Sequence, residues 1–230
     1  MVTLPARPES FELDPARTAA LVIDMQNDFG SPGGMFDRAG IDISGIRAAI
    51  EPTRRVLDAC REAGIPVVYV TMQHPADLAN AGPADGPHLA KHRPLGVGDG
   101  STLVAGTWNT QIVEELAPRA GETVVAKHRY SGFFETELDD VLRGLGVTHL
   151  LVTGCTTSIC VESTVRDAMF RDYRCVVLED CTAEPLGAGA PRTNHEASLL
   201  NIEVLFGWVS SSEAVVTALE AARALDGARR

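Results

Sequence analysis

Residues 149–180 read HLLVTGCTTSICVESTVRDAMFRDYRCVVLED. His149–Thr153 is a short, mainly apolar run of the kind that forms a strand buried on both faces. A helical pattern follows over 159–171, and a second such run, Cys175–Glu179, comes after it. Strand, helix and strand in this order make a βαβ unit, whose two strands lie parallel. The same alternation extends outward. Ala20–Asp24 (ALVID), Pro66–Thr71 (PVVYVT) and Thr123–Lys127 (TVVAK) are further strand candidates, with a sixth near Val204–Val209. Helical patterns fall near 46–63, 109–116, 135–144, 192–202 and 211–224. The pattern predicts an α/β fold: a three-layer α-β-α arrangement around a central, mostly parallel six-stranded sheet. Gly64, Gly144 and Gly146 stand where helices should end.

No internal repeat or low-complexity linker divides the 230 residues, so 1–230 is expected to be a single domain. Apolar residues make up 45% and charged residues 22%, which excludes intrinsic disorder. No apolar run approaches the ~18 residues of a membrane-spanning helix, and no membrane partner is expected. The opening MVTLPARPESFELDP lacks the apolar core of a signal peptide, so none is expected. Lys and Arg total 20 against 31 Asp and Glu, a net charge of −11. Such a surface repels phosphate backbones, which argues against nucleic acid as a partner. The five cysteines, at 60, 155, 160, 175 and 181, cannot all pair with one another, and they sit in apolar segments. That usage fits a reduced, cytoplasmic protein. Pro and Gly cluster in 82–100 and 185–191, and the first of these reads as a long loop or lid.

Ligands of open parallel sheets bind outside the carboxyl ends of the strands. Asp24 closes the first strand candidate, Gln73 and His74 follow the second, and Lys127 closes the third. The fourth runs into Thr153-Gly154-Cys155-Thr156-Thr157-Ser158-Ile159-Cys160, where a helix begins. One acid, one lysine and one cysteine can therefore meet at one edge. A helix start and a nearby ammonium both lower a thiol's pKa. A carboxylate beside them can take the thiol proton and return it to a leaving amine. Backbone N–H groups in the tight turn can form an oxyanion hole. Each residue also has a plain role open to it: Cys160 as a small core residue, Asp24 as a loop cap, Lys127 as a side chain snorkelling to water.

Three motifs resemble those of the isochorismatase-like cysteine hydrolase superfamily: LVIDMQNDFGSPGG (21–34), KHRYSGFFETELDDVLRGLGV (127–147) and LLVTGCTTSICVESTVRDAMFRDY (150–173). The similarity covers nearly the whole chain. It is strongest toward the ureidoacrylate amidohydrolase branch, through TLPARPESFELDP, RYSGFF, CVESTVRDAMF and NIEVLFGWVSSSE. Biuret hydrolases are similar around LEDCTAEP and the cysteine motif. The departures lie mainly in 72–106, a segment expected to shape the pocket.

The resemblance implies a catalytic triad of Asp24, Lys127 and Cys160. It also implies a cis peptide between Cys155 and Thr156, and an oxyanion hole from the N–H groups of Thr156 and Cys160. The implied activity is metal-independent cleavage of a C–N bond in a small amide, ureido or carbamoyl compound, through a thioester and without a cofactor. Biuret or another linear amide is the alternative substrate, and a non-catalytic binding protein is the alternative class. A homodimer or homotetramer is implied, with the C-terminal helix and GWVSSSE as candidate contact pieces. Nicotinamidases of the superfamily hold a metal through an Asp-x-His element; here that element reads Met72-Gln73-His74, so no metal is expected. His88 and His92 lie in a Pro/Gly-rich segment without recognisable ligand spacing. Phe29, Gln73, His74 and Tyr130 are the candidate substrate-binding residues. Gln26 and Asn27 are expected to tie loops together, Cys155 to be structural, and Trp108 to pack near a helix start capped by Thr107.

Overall fold

The computed structural model describes residues 1–187 and 193–227. Its strands are β1 (Val2–Leu4), β2 (Phe11–Leu13), β3 (Thr18–Ile23), β4 (Val67–Met72), β5 (Thr123–Lys127), β6 (His149–Cys155), β7 (Arg174–Ala183) and β8 (Trp208–Ser210). Its helices are α1 (Asn27–Gly30), α2 (Met35–Arg38), α3 (Ser44–Glu62), α4 (Pro87–His92), α5 (Leu138–Gly144), α6 (Glu162–Met169), α7 (Asn194–Asn201) and α8 (Ser212–Gly227).

Strands β3 to β8 form one six-stranded sheet in the order β5-β4-β3-β6-β7-β8. Every pairing in it is parallel. The fold is thus the expected α/β sandwich, with a wholly rather than mostly parallel sheet. The chain winds outward from β3 through β4 to β5, then crosses back to β6 and winds the other way. The reversal leaves a crevice between the carboxyl ends of β3 and β6, where open α/β sheets bind ligands.

Alternation along the strands explains the layers. Ala20, Val22, Tyr69, Leu151 and Val176 point to one face and pack with Ile46, Ile50, Leu57, Val215 and Leu219 of α3 and α8. Ala19, Leu21, Val68, Val70, Leu150 and Val152 point to the other and pack with Leu138, Leu142, Val165 and Ala168 of α5 and α6. Each such fully buried aliphatic side chain contributes roughly 1.5–3 kcal/mol by leaving water. In α3 the buried Ile46, Ala49, Ile50, Thr53, Val56, Leu57 and Cys60 recur at three- and four-residue steps. Gly64, at φ +73°, follows its C-cap Ala63 in the left-handed conformation that ends helices.

Four segments differ from expectation. The 109–116 pattern is two 3₁₀ turns, Trp108–Thr110 and Glu114–Leu116, rather than one helix. The backbone between them pairs elsewhere: Val113 N–H donates to Met25 O and Asn27 N–H to Gln111 O, both at 2.9 Å. The sixth strand is Trp208–Ser210, and Ile202–Phe206 before it is π-helical. Val204 and Leu205 in that turn are exposed, so their apolar character does not mark a buried strand. The 82–100 segment is not all loop. It holds α4, with Pro87 at its start, and a 3₁₀ turn over Arg93–Leu95. At the N-terminus β1 and β2 form an antiparallel pair that buries Leu4, Phe11 and Leu13. The start of the 192–202 pattern lies outside the described residues, as does most of 185–191. Among the described residues no helix is long and apolar enough to cross a membrane.

Candidate active site

Asp24 directly follows β3, in the left-handed region at φ +52°. Its N–H donates to Val70 O at 2.9 Å, and its Oδ1 accepts Met72 N–H at 2.9 Å. Lys127 ends β5, in register with Met72 of β4. The lysine reaches past the end of β4, and its Nζ lies 2.7 Å from Asp24 Oδ2. It also donates to Cys160 Sγ at 3.4 Å and to Arg129 O at 3.2 Å. Both charged side chains are almost wholly buried. Asp24 Oδ2 is the oxygen that faces the Lys127 ammonium.

Cys160 lies in a π-helical turn, Thr157–Val161, that leads into α6. The peptide bond between Cys155 and Thr156 is cis. Gly154 precedes it at φ +123°, and its absent side chain matters: a Cβ there would lie 2.0 Å from Ile23 O. Glycine is what lets β6 close against the end of β3 at this point. Cys155 turns away from the pocket, and its Sγ donates to Asp24 O at 3.1 Å. The turn carrying Cys160 is held by Glu184, whose Oε2 accepts the N–H and hydroxyl of Ser158.

Burial acts on all three groups. It pushes the Cys160 thiol up, and the Lys127 ammonium only partly offsets it. This upward direction opposes the one that the helix start and the lysine suggest from sequence. Burial likewise raises the Asp24 carboxyl, against the pull of Lys127. For Lys127 burial acts downward, but Asp24 and then Cys160 outweigh it and hold the ammonium above its ordinary value.

Cys160 opens into a pocket of about 260 Å³. Phe29, Tyr130 and Thr156, all singled out from sequence, share its wall with Met35, Phe36 and Ile159. Gln73 and His74 do not line it. Gln73 N–H donates to Lys127 O at 3.0 Å, and buried His74 lies 2.7 Å from Asn80 Oδ1 through Nδ1. Trp108 is about half exposed and also off this wall, and Thr107 precedes its 3₁₀ turn without a side-chain cap bond. Gln26 and Asn27 do tie loops: Gln26 bonds Met72 and Thr110, and Asn27 Nδ2 donates to Trp108 O. The His88 ring meets His74 edge-on and lies tilted against His92 and Tyr130, and His92 lies tilted against Tyr130 as well. Among the described residues no three His, Cys, Asp or Glu side chains converge as metal ligands. Lys91, His92 and Leu95 on α4 and the turn after it complete one side of the pocket. Nothing in the sequence pattern singled out Lys91.

The isochorismatase domain model matches residues 18–214. The chain belongs to the isochorismatase family. It is 41% identical to the ureidoacrylate amidohydrolase RutB of Klebsiella pneumoniae subsp. pneumoniae, over 98% of this chain and 96% of that protein. A cysteine hydrolase from Pseudomonas syringae pv. phaseolicola superposes with a TM-score of 0.80 at 27% identity, covering 96% of this chain and 99% of that one. An N-carbamoylsarcosine amidase from Thermoplasma acidophilum superposes with a TM-score of 0.65 at 29% identity, covering 85% and 96%. The chain is thus an enzyme of the hydrolase class, with hydrolases as relatives along nearly its whole length.

Proposed function

We propose that this chain is a metal-independent cysteine amidohydrolase that cleaves a C–N bond of a small ureido compound, with ureidoacrylate as the substrate to test first. The observation that carries it is the lysine that touches both partners: Lys127 Nζ lies 2.7 Å from Asp24 and 3.4 Å from Cys160 beneath one pocket. The 41% identity to a ureidoacrylate amidohydrolase supports the choice of substrate.

Asp24 takes the Cys160 proton as sulfur attacks the ureido carbonyl. Its raised pKa suits it to that exchange, since a stronger base accepts a proton more readily from a thiol that burial keeps protonated. Lys127 holds Asp24 in place and stabilises the sulfur as charge develops on it. The N–H groups of Thr156 and Cys160 receive the oxyanion. Asp24 returns the proton to the departing nitrogen as the C–N bond breaks, leaving a carbamoyl thioester on Cys160. Water, activated by Asp24, then releases carbamate, which decomposes to ammonia and carbon dioxide. The same reading treats 1–230 as one domain acting as a cytoplasmic homodimer or homotetramer.

The test is turnover of ureidoacrylate, biuret, N-carbamoyl amino acids and nicotinamide by the wild type and by Cys160→Ala. The expected result is ammonia release from ureidoacrylate at kcat/KM above about 10⁴ M⁻¹s⁻¹, abolished in the variant while its fold persists. Turnover that survives the loss of Cys160 sinks the mechanism.

A further inference from the structure

The pocket wall carries a cation that no described residue engages. Lys91 stands in the last turn of α4 and shares the pocket with Cys160. Among the described residues it takes part in no ion pair.

Among the described residues, Lys127, Arg129 and His92 are occupied or neutral. Lys127 is committed to Asp24 and Cys160. Arg129 donates to the carbonyls of Asn80 and His128 and does not reach the wall. His92 does line the pocket, but its Nδ1 lies 2.7 Å from His88 O, and burial lowers its pKa, so it is uncharged at neutral pH. Among the described residues no Asp or Glu lines the pocket, and Phe29, Phe36 and Ile159 make much of its wall apolar. In a chain of net charge −11, a lysine lining a largely apolar pocket is a local feature. Lys91 is itself exposed, so a substrate carboxylate can reach it from the solvent side of the pocket and gain a charge-assisted hydrogen bond.

We propose that Lys91 is the specificity residue that recognises a substrate carboxylate, so that this site takes ureido acids in preference to uncharged ureas and amides such as biuret. The inference rests on the cysteine-hydrolase reading above and narrows its substrate class. Ureidoacrylate carries both groups that it requires: a ureido carbonyl for Cys160 and a carboxylate for Lys91.

Two alkylating reagents test it without presuming the substrate. Iodoacetate and iodoacetamide are similar in size and differ by a carboxylate against an amide. The readout is the ratio of their alkylation rates at Cys160, followed on the peptide that contains it, in wild type, Lys91→Met and Lys91→Arg. Lys91→Met keeps most of the stem and removes the charge. The expected ratio of iodoacetate to iodoacetamide falls about tenfold in Lys91→Met, the scale of one charge-assisted hydrogen bond. It stays within about twofold of wild type in Lys91→Arg, which keeps the charge. In parallel, KM for ureidoacrylate rises about tenfold in Lys91→Met while kcat changes less, since the carboxylate is bound alike in ground and transition states. A Lys91→Met ratio within about twofold of wild type overturns the proposal for Lys91 and leaves the cysteine-hydrolase reading standing. Failure of both reagents to label wild-type Cys160 sinks that reading and this inference together.

Discussion

Gln26 and Met72 are joined by two complementary hydrogen bonds: Gln26 Nε2 donates to Met72 O at 2.9 Å, and Gln26 Oε1 accepts Met72 N–H at 2.7 Å. The same Nε2 donates to Thr110 O at 2.9 Å, and Gln26 is fully buried. One amide therefore fastens the loop after β3, which carries Asp24, to the end of β4 and to the 3₁₀ turn after Trp108. Gln26→Leu preserves much of the volume but leaves the Met72 and Thr110 carbonyls without this donor. The expected cost is about 2–4 kcal/mol of stability, read from urea unfolding. A loss below about 1 kcal/mol would mean that water replaces the amide and that the loop is not held in this way.

The Asp24–Lys127 pair predicts a non-additive response. Lys127→Met leaves the Asp24 carboxylate buried without its counter-charge, a change that costs roughly 3–5 kcal/mol for buried pairs. Adding Asp24→Asn removes the stranded charge, so the double variant should recover part of that loss. A urea double-mutant cycle checks this. Additive single and double losses would show that the two groups do not stabilise one another. None of the three variants should retain turnover, because each lacks the proposed base, its ammonium partner or both.

The strand ends that carry Asp24, Lys127 and Cys160 were legible because each follows a short apolar run, and parallel topology gathers such ends at one edge. The opposite side of the pocket was much less so. Phe29 and Tyr130 were found from motifs near Asp24 and Lys127. Met35, Phe36 and Lys91 sit on helices of four to six residues, too short to show a 3.6-residue period. The 109–116 pattern failed because its backbone bonds run to Met25 and Asn27, far away in sequence. The upward shift of the Cys160 thiol is hidden from the sequence for a related reason. A neighbouring lysine can be inferred from strand order, whereas the burial that outweighs it depends on how all the loops close.

The histidines beside the pocket give stability a sign with pH. Burial, followed by the facing charges of His92, Arg129, His74 and Lys127, pushes His88 down to about 3 from an ordinary 6.5. His74 and His92 are lowered too, burial being the largest cause for each. Below pH 6.5 the unfolded chain binds protons that the folded chain resists. Their contribution is present above that value and is lost as pH falls toward 3. His88→Phe keeps a ring against Tyr130 and removes one such site. Its urea midpoint should fall less steeply between about pH 6 and pH 4, by about one proton in the linkage slope. Parallel curves for variant and wild type would show that His88 titrates alike in both states.

Asp28 is the second fully buried acid of the first motif, and it is held by donors rather than by a cation. Its Oδ1 accepts Met35 N–H at 2.9 Å and Asn109 Nδ2 at 2.6 Å, and its Oδ2 accepts Leu103 N–H at 2.7 Å. Among the described residues no Lys, Arg or His forms an ion pair with it. Three donors from separate segments thus converge on two oxygens, and Met35 next to one of them lines the pocket. Asp28→Asn keeps the shape but turns one oxygen into an NH₂ group, which then faces a buried N–H with no acceptor between them. The expected loss is about 2–4 kcal/mol, from one charge-assisted bond broken and two donors opposed. Asp28→Asn should also raise KM, because the Met35 wall and the segment at Leu103 lose their common anchor. Unfolding and steady-state kinetics on the same preparation separate the two effects. A variant that loses stability yet keeps the wild-type KM would show that Asp28 anchors the fold without shaping the pocket.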